Sequence, residues 1–213
     1  MARFVEAGKK IVAVGRNYAE HAKELGNALP TEPLLFLKPT TAYITEGQAI
    51  KVPITCTSLH HEVELGIVIG EKGADISESD AMKYVLGYTL ALDMTDRAKQ
   101  EELKKKGQPW SVCKGFDTSC PVSSFIPKEK IPDPQNIRLW LKVNEEMKQD
   151  GNTKDMIFTI PHLISFISSK FTLEPGDLIL TGTPSGVGPV QAGDVIEAGV
   201  GDIIKVTFPV EKK

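Results

Sequence analysis

Cysteine is scarce in this chain: Cys56, Cys113 and Cys120 are the only three among 213 residues, an odd number with no C-x-x-C pair. That usage argues against a disulfide framework and a thiolate zinc site, and it fits a reducing compartment. Long hydrophobic runs are missing as well. No stretch approaches the roughly 18 apolar residues of a membrane-spanning helix, and the opening MARFVEAGKK is too short and mixed for a secretory signal, so a soluble chain with no membrane partner is expected. A basic stripe is also lacking. The formal net charge is -3, and phosphate recognition needs clustered Lys and Arg, so nucleic acid is not the expected partner. The one basic run, ELKKKG at 102–107, reads as the solvated end of a helix, where cations suit the dipole. The glycine-rich TGTPSGVGPV from Thr181 has neither the Gly-Lys-Ser/Thr ending of a phosphate loop nor dinucleotide spacing, so a nucleotide is not implied.

What the sequence does contain is strands. KIVAVG, LLFLKP, VELGIVIG, YVLGYTLALD, IRLWLKV, DLILTGT and DIIKVTFPV are short apolar, β-branched runs bounded by turn residues, which predicts seven or more strands. Helical patterns are few. RNYAEHAKELG has Asn17 as cap, Glu20 three residues on and Gly26 as stop; DRAKQEELKKKG and PHLISFISSKF are the others, the last with Leu163, Phe166, Ile167 and Lys170 at helical spacing. These helices do not alternate with the strands, so a doubly wound parallel sheet is unexpected and an α+β fold with a dominant β core is predicted. No linker or repeat divides residues 1–213, which read as one domain.

Polar residues inside apolar runs carry the chemistry. In LHHEVELG, Glu62 and Glu64 share one face of a predicted strand over 62–69, roughly 7 Å apart along the backbone, while Val63 and Leu65 face the other way. Neighbouring carboxylates repel unless one binds a proton or a cation lies between them; a solvated edge strand is the alternative. Asp93 closes the next strand, either as a helix cap or as a third carboxylate. Three converging carboxylates without cysteine form a hard oxygen site suited to Mg²⁺ or Mn²⁺. His60 and His61 point to opposite faces and cannot both serve one site, so zinc lacks a second nitrogen ligand. His61 fits better as a partner of a carboxylate or a satisfied core histidine. His21 and Glu24, spaced i, i+3, form either a surface ion pair or a water-activating dyad. Lys114, in a strand-like or loop segment, either snorkels or binds an anion. The Thr181 loop is a turn or a cradle for a small carboxylate.

In combination and order, GRNYAEHAKE, FLKP, HHEVELGIVIG, GYTLALDMTDR, PWSVCKGFD and LTGTPSGVGP resemble the fumarylacetoacetate hydrolase family, nearest to its short acylpyruvase and oxaloacetate decarboxylase members. The likeness runs from about Lys10 to the C-terminus. It implies a β-dominated mixed β-sandwich roll with a few short helices, a homodimer, and Mg²⁺ or Mn²⁺ held by Glu62, Glu64 and Asp93. It also implies His21 and Glu24 as a catalytic dyad on a helix that orders over substrate, Lys114 as a catalytic cation, and Arg16, Arg97, Gln100 and Thr183 as substrate contacts. The long N-terminal domain of the larger fumarylacetoacetases has no counterpart, so fumarylacetoacetate itself is not the expected substrate. The resemblance implies small keto acids instead: hydrolysis of acylpyruvates and decarboxylation of oxaloacetate. Keto-acid isomerisation or tautomerisation on the same fold, Schiff-base chemistry at Lys114 and a non-catalytic cation- or carboxylate-binding module are the alternatives. A mitochondrial location is implied by the family, with the cytosol as alternative because no extended Arg- and Ser-rich presequence is visible.

Overall fold

Residues 63–69 are apolar at every position but Glu64 and Gly66, and in the computed structural model, which describes residues 3–20 and 29–213, the whole strand Val63–Ile69 is buried. A strand buried on both faces must be paired on both edges. Here Leu178–Leu180 lies on one side and Val85–Leu92 on the other, both antiparallel. The full order across this large sheet is Leu34–Lys38, Ile11–Gly15, Leu178–Leu180, Val63–Ile69, Val85–Leu92, Cys120–Val122 and Tyr43–Thr45, with Ile126–Pro127 also on Val85–Leu92. Two of its pairings are parallel, Ile11–Gly15 with Leu178–Leu180 and Tyr43–Thr45 with Cys120–Val122, so the sheet is mixed.

Alternation then sorts side chains between two cores. Val12, Val14, Val63, Leu65, Ile67 and Ile69 join the large core, which also takes in Leu139, Leu141, Ile196, Ala198 and Phe208 from a second sheet. That sheet runs Glu146–Asn152, Arg138–Val143, Val195–Val200, Ile204–Lys212, Ile50–Val52. Its first hairpin turns at Asn144 and Glu145, with φ of 49° and 69°, the left-handed pair that a two-residue turn requires. Ile11, Ala13, Val68, Leu178 and Leu180 face the other way, into a smaller core. A third, three-stranded sheet orders Gly188–Val190, Leu59–His61 and Thr95–Asp96. The architecture is the expected β-dominated α+β fold.

Helices are short. Arg97–Lys105 starts where Asp96 accepts from Lys99 N at 3.1 Å, and Ile160–Ser168 starts at the Thr159 cap with Pro161 in its first turn, both in keeping with N-terminal capping. The second buries Ile160, Leu163, Ile164 and Ile167; Phe166 is only half-buried and Lys170 lies beyond the helix end, a narrower stripe than expected. Asn17 departs from expectation. It is fully buried, and its amide is spent across the fold: Nδ2 donates to Phe158 O (3.1 Å) and Thr181 O (2.8 Å), and Oδ1 accepts from Phe158 N (2.8 Å). The remainder of that helix, with His21, Glu24 and the stop at Gly26, lies outside the described residues.

Candidate metal and keto-acid site

Two paired segments leave the large sheet together. Val63 opposes Leu92 inside it, and the same two chains continue into the small sheet, where His60 opposes Thr95. Glu62 and Asp93 occupy the seam, where neither belongs to a strand and Asp93 N donates to Glu62 O at 2.9 Å. The expected continuous strand over 62–69 is therefore interrupted at Glu62. The interruption frees Glu62 from the pleat while Glu64 stays one step inside, and carboxylate oxygens of Glu62, Glu64 and Asp93 all come within 4.8 Å of one another. All three residues are buried.

Cations surround this cluster. Lys114 Nζ donates to Glu62 Oε2 at 3.0 Å, to Thr95 Oγ1 at 2.6 Å, and to Asp93 Oδ2. Lys38 Nζ takes the other Asp93 oxygen at 2.6 Å and also bonds Lys114 O. Arg97 bonds Glu62 Oε1 through one terminal nitrogen and Gln100 Oε1 through the other. Burial by itself would depress the Lys114 ammonium, but Asp93 and Glu62 outweigh it and hold Lys114 above its ordinary value. Such a lysine is charged at neutral pH, which argues against an amine nucleophile.

Glu64 is left out of this pairing. Among the described residues its one hydrogen bond comes from Gly182 N, at 2.6 Å. Burial, then Asp93, then Glu62 push its carboxyl well above the usual carboxylate range, against the pull of Gly182 N and Lys114. A buried carboxyl in that state takes up a proton or a cation. Among the described residues, three oxygen donors with no sulfur or imidazole in the group fit a hard divalent ion.

The histidines separate as their strand positions require. His61 is fully buried and its Nδ1 lies 2.9 Å from Gln149 Oε1, an amide oxygen that also accepts from Val63 N. Since an amide oxygen only accepts, His61 donates from Nδ1 and its Nε2 carries the lone pair. Burial lowers its pKa and favours the neutral ring, and its buried Nε2 has no hydrogen-bond partner among the described residues, so it is a core histidine satisfied on one side only. His60 lies on the other face beside Ser58, pushed down to about 4 by burial and then by Arg97.

Lys114 itself comes from the short helix Ser111–Lys114 rather than from a strand or loop. A helix turn swings its side chain under the sheet seam, where a lone lysine in PWSVCKGFD gave no local sign of going. Thr183 is buried, its Oγ1 donating to Val63 O at 2.8 Å and accepting from Gln149 Nε2 at 2.8 Å. Arg16 stands half-buried just after Ile11–Gly15 with φ of 59°, and no hydrogen bond ties it to the cluster. His21 and Glu24 fall outside the described residues. Sequence reasoning passed over Lys38, Thr95 and Gln149, all fully or almost fully buried. The signal for Lys38 was present, since LLFLKP ends an apolar strand on a lysine. All three cysteines are free thiols, raised by burial to about 11 for Cys113 and about 12 for Cys120, and so unreactive at neutral pH.

A mixed β fold whose sheet seam carries three buried carboxylates and a charged lysine accords with the family resemblance of the sequence, and the chain belongs to that family. Residues 10–211 match the family described as fumarylacetoacetate (FAA) hydrolase C-terminal. Among curated relatives, the chain is 57% identical over 212 residues to oxaloacetate tautomerase FAHD1, mitochondrial, of Mus musculus, covering 100% of this chain and 96% of the relative. It is 61% identical over 201 residues to oxaloacetate decarboxylase, mitochondrial, of Dictyostelium discoideum, covering 94% and 92%. Among solved structures, fumarylpyruvate hydrolase of Pseudomonas aeruginosa in complex with Mn²⁺ and pyruvate superposes with a TM-score of 0.91 at 33% identity, covering 97% of this chain and 91% of that one. The mitochondrial location implied by the resemblance agrees with the names of both relatives.

Proposed function

We propose that residues 1–213 form one catalytic domain, working as a homodimer, that uses a divalent cation to decarboxylate oxaloacetate and to hydrolyse acylpyruvates. The observation that carries the reading is the uncompensated Glu64 beside Glu62 and Asp93, with Lys114 bonded to two of the three carboxylates. It is supported by the relatives' names and by the Mn²⁺ and pyruvate of the Pseudomonas structure.

Glu62, Glu64 and Asp93 would hold the ion, Mg²⁺ or Mn²⁺, which when bound supplies Lewis-acid polarisation of a keto oxygen. Lys114 keeps its ammonium at the same seam, where it stabilises negative charge that develops on that oxygen only as a bond breaks. In oxaloacetate the bond between C3 and the departing carboxylate breaks, CO₂ leaves, and the electron pair stays as pyruvate enolate. In an acylpyruvate, His21 removes a proton from water, Glu24 steadies the resulting imidazolium, and the water oxygen adds to the C4 carbonyl. The C3–C4 bond then breaks to release an acid and the same enolate, which a proton converts to pyruvate. Arg97, Gln100, Arg16 and the Thr183 loop are the groups assigned to the substrate's acid end.

A second reading, keto–enol tautomerisation of oxaloacetate, is favoured by the name of the Mus musculus relative. It moves one proton between C3 and the keto oxygen, breaks no C–C bond and uses the same charge stabilisation. One experiment separates the reactions. With Mn²⁺ saturating, acetylpyruvate loss, CO₂ release from oxaloacetate and decay of enol absorbance are followed in wild type and in Glu24→Gln. Removing the base's support is expected to slow hydrolysis by about 10²- to 10⁴-fold, leaving decarboxylation far less changed. An equal fall in both would move the dyad to a shared step. Enol decay without CO₂ release would establish the tautomerase reading.

A further inference from the structure

The loop that carries Thr183 is fastened to the site strand residue by residue. Thr181 Oγ1 donates to Leu65 O at 2.8 Å, Gly182 N to Glu64 Oε2 at 2.6 Å, and Thr183 Oγ1 to Val63 O at 2.8 Å. From one side the loop is held by Asn17 through Thr181 O. From the other side it is held by a single amide, that of Gln149. Gln149 Nε2 donates to Thr183 Oγ1 (2.8 Å) and Pro184 O (2.9 Å), and its Oε1 accepts from Val63 N (3.0 Å) and His61 Nδ1 (2.9 Å).

All four hydrogen-bonding positions of that amide are filled, at full burial. The placement has no explanation in core packing. Gln149 is the one buried residue of the strand Glu146–Asn152, in a segment whose other side chains are exposed or half-buried, and an aliphatic residue would fill the same space without needing four partners. Gly151 of that strand and Gly186 of the loop are in such close approach, to Pro184 and to Lys148 O, that a Cβ at either would collide. The loop is therefore seated directly on the strand, and Gln149 sets its height over Glu64.

This geometry also decides what Thr183 can offer a ligand. Its hydroxyl hydrogen is committed to Val63 O, and the Gln149 N–H approaching the same oxygen holds it there. The main-chain N–H of Thr183 bonds no described residue. We infer that Gln149 is a positioning residue that locks the Thr181–Pro184 loop so that the Thr183 main-chain N–H, not its hydroxyl, meets the carboxylate of the keto acid. The assignment of that ligand rests on the function proposed above.

Gln149→Met keeps the side chain's length and removes all four hydrogen bonds; Gln149→Glu, should the first variant fold poorly, keeps the two acceptor bonds and loses both donations, to Thr183 Oγ1 and to Pro184 O. Hydrogen exchange on the ligand-free protein reads the clamp alone: loop amides in 182–187 are expected to exchange at least about tenfold faster, while Leu178–Leu180 keep their protection. With Mn²⁺ bound, KM for oxaloacetate is expected to rise about 10- to 100-fold, the worth of one hydrogen bond to a charged group, with kcat changing far less. Unchanged loop exchange, or a fall in kcat at constant KM, overturns the positioning role. Faster loop exchange in a protein whose wild type turns over no keto acid leaves the clamp standing and removes the ligand assignment.

Discussion

Asp177 and Glu64 are both buried carboxylates, and their surroundings are built in opposite ways. Asp177 accepts from Lys9 N (2.9 Å), Lys10 N (3.1 Å) and Glu174 N (2.9 Å) and pairs with the Lys10 ammonium, so its oxygens are saturated by donors and its charge has its own counterion. Among the described residues, Glu64 has one donor, no cation of its own and two carboxylates for neighbours. Burial is common to both and marks neither as a site. The difference lies in compensation: a saturated carboxylate staples a terminus to a strand, whereas an uncompensated one carries an electrostatic cost that a proton or a cation would relieve.

Removing each carboxylate should break the molecule in different respects. Glu64→Gln is expected to lower kcat/KM for oxaloacetate by about 10³- to 10⁴-fold, since a Lewis-acid cation is worth several kcal/mol and each 1.36 kcal/mol is tenfold. The same change should leave the metal-free protein as stable as wild type or more so, because it deletes a repelled charge; a fall in metal-free stability by chemical denaturation would show that Glu64 is a structural residue like Asp177. Asp177→Ala is expected to cost about 3–5 kcal/mol of folding stability, as for a buried charge pair stripped of one partner, while the folded fraction keeps its kcat. A large loss of kcat in that fraction would dissolve the distinction.

The smallest effect sharpens the comparison through pH. Because the folded-state value of Glu64 lies above its ordinary 4.5, the native protein holds this proton more tightly than the unfolded chain does. Stability from this group is thus present below 4.5 and is lost as pH rises through the raised folded value. A bound cation replaces the proton, so Mn²⁺ at 100 times its Kd should stabilise wild type by about 2.7 kcal/mol, with a larger rise in Tm at pH 8 than at pH 5. No such rise is expected in Glu64→Gln. An equal Tm gain at both pH values would detach the cation from Glu64.

Much of this was legible before any coordinates. The strand runs and the helical patterns in DRAKQEELKKKG and PHLISFISSKF are local, and each gave an element where its period placed it. The seam at Glu62 was not legible, since the run into Val63 and Leu65 reads as unbroken strand and only pairing with the other sheet shows where it stops. Lys114 was legible as a residue of interest but not as part of a helix, because SVCK is too short to show a period. Lys38 carried a local signal that was passed over, a lysine closing the apolar run LLFLKP, whereas Gln149 was hidden by its mostly polar surroundings in EMKQDGN.

By itself the sequence offered the candidate donors: Glu62 and Glu64 spaced two apart, Asp93 at the end of the next strand run, and too little cysteine for a thiolate alternative. Tertiary structure alone decided which charges meet them. Lys114 reaches Glu62 across 52 positions, Lys38 reaches Asp93 across 55, and Gln149 reaches His61 across 88. Side-chain alternation is a property of neighbouring residues and survives in a short window of sequence. The partner of a buried charge is chosen by sheet order and register, which no short window contains.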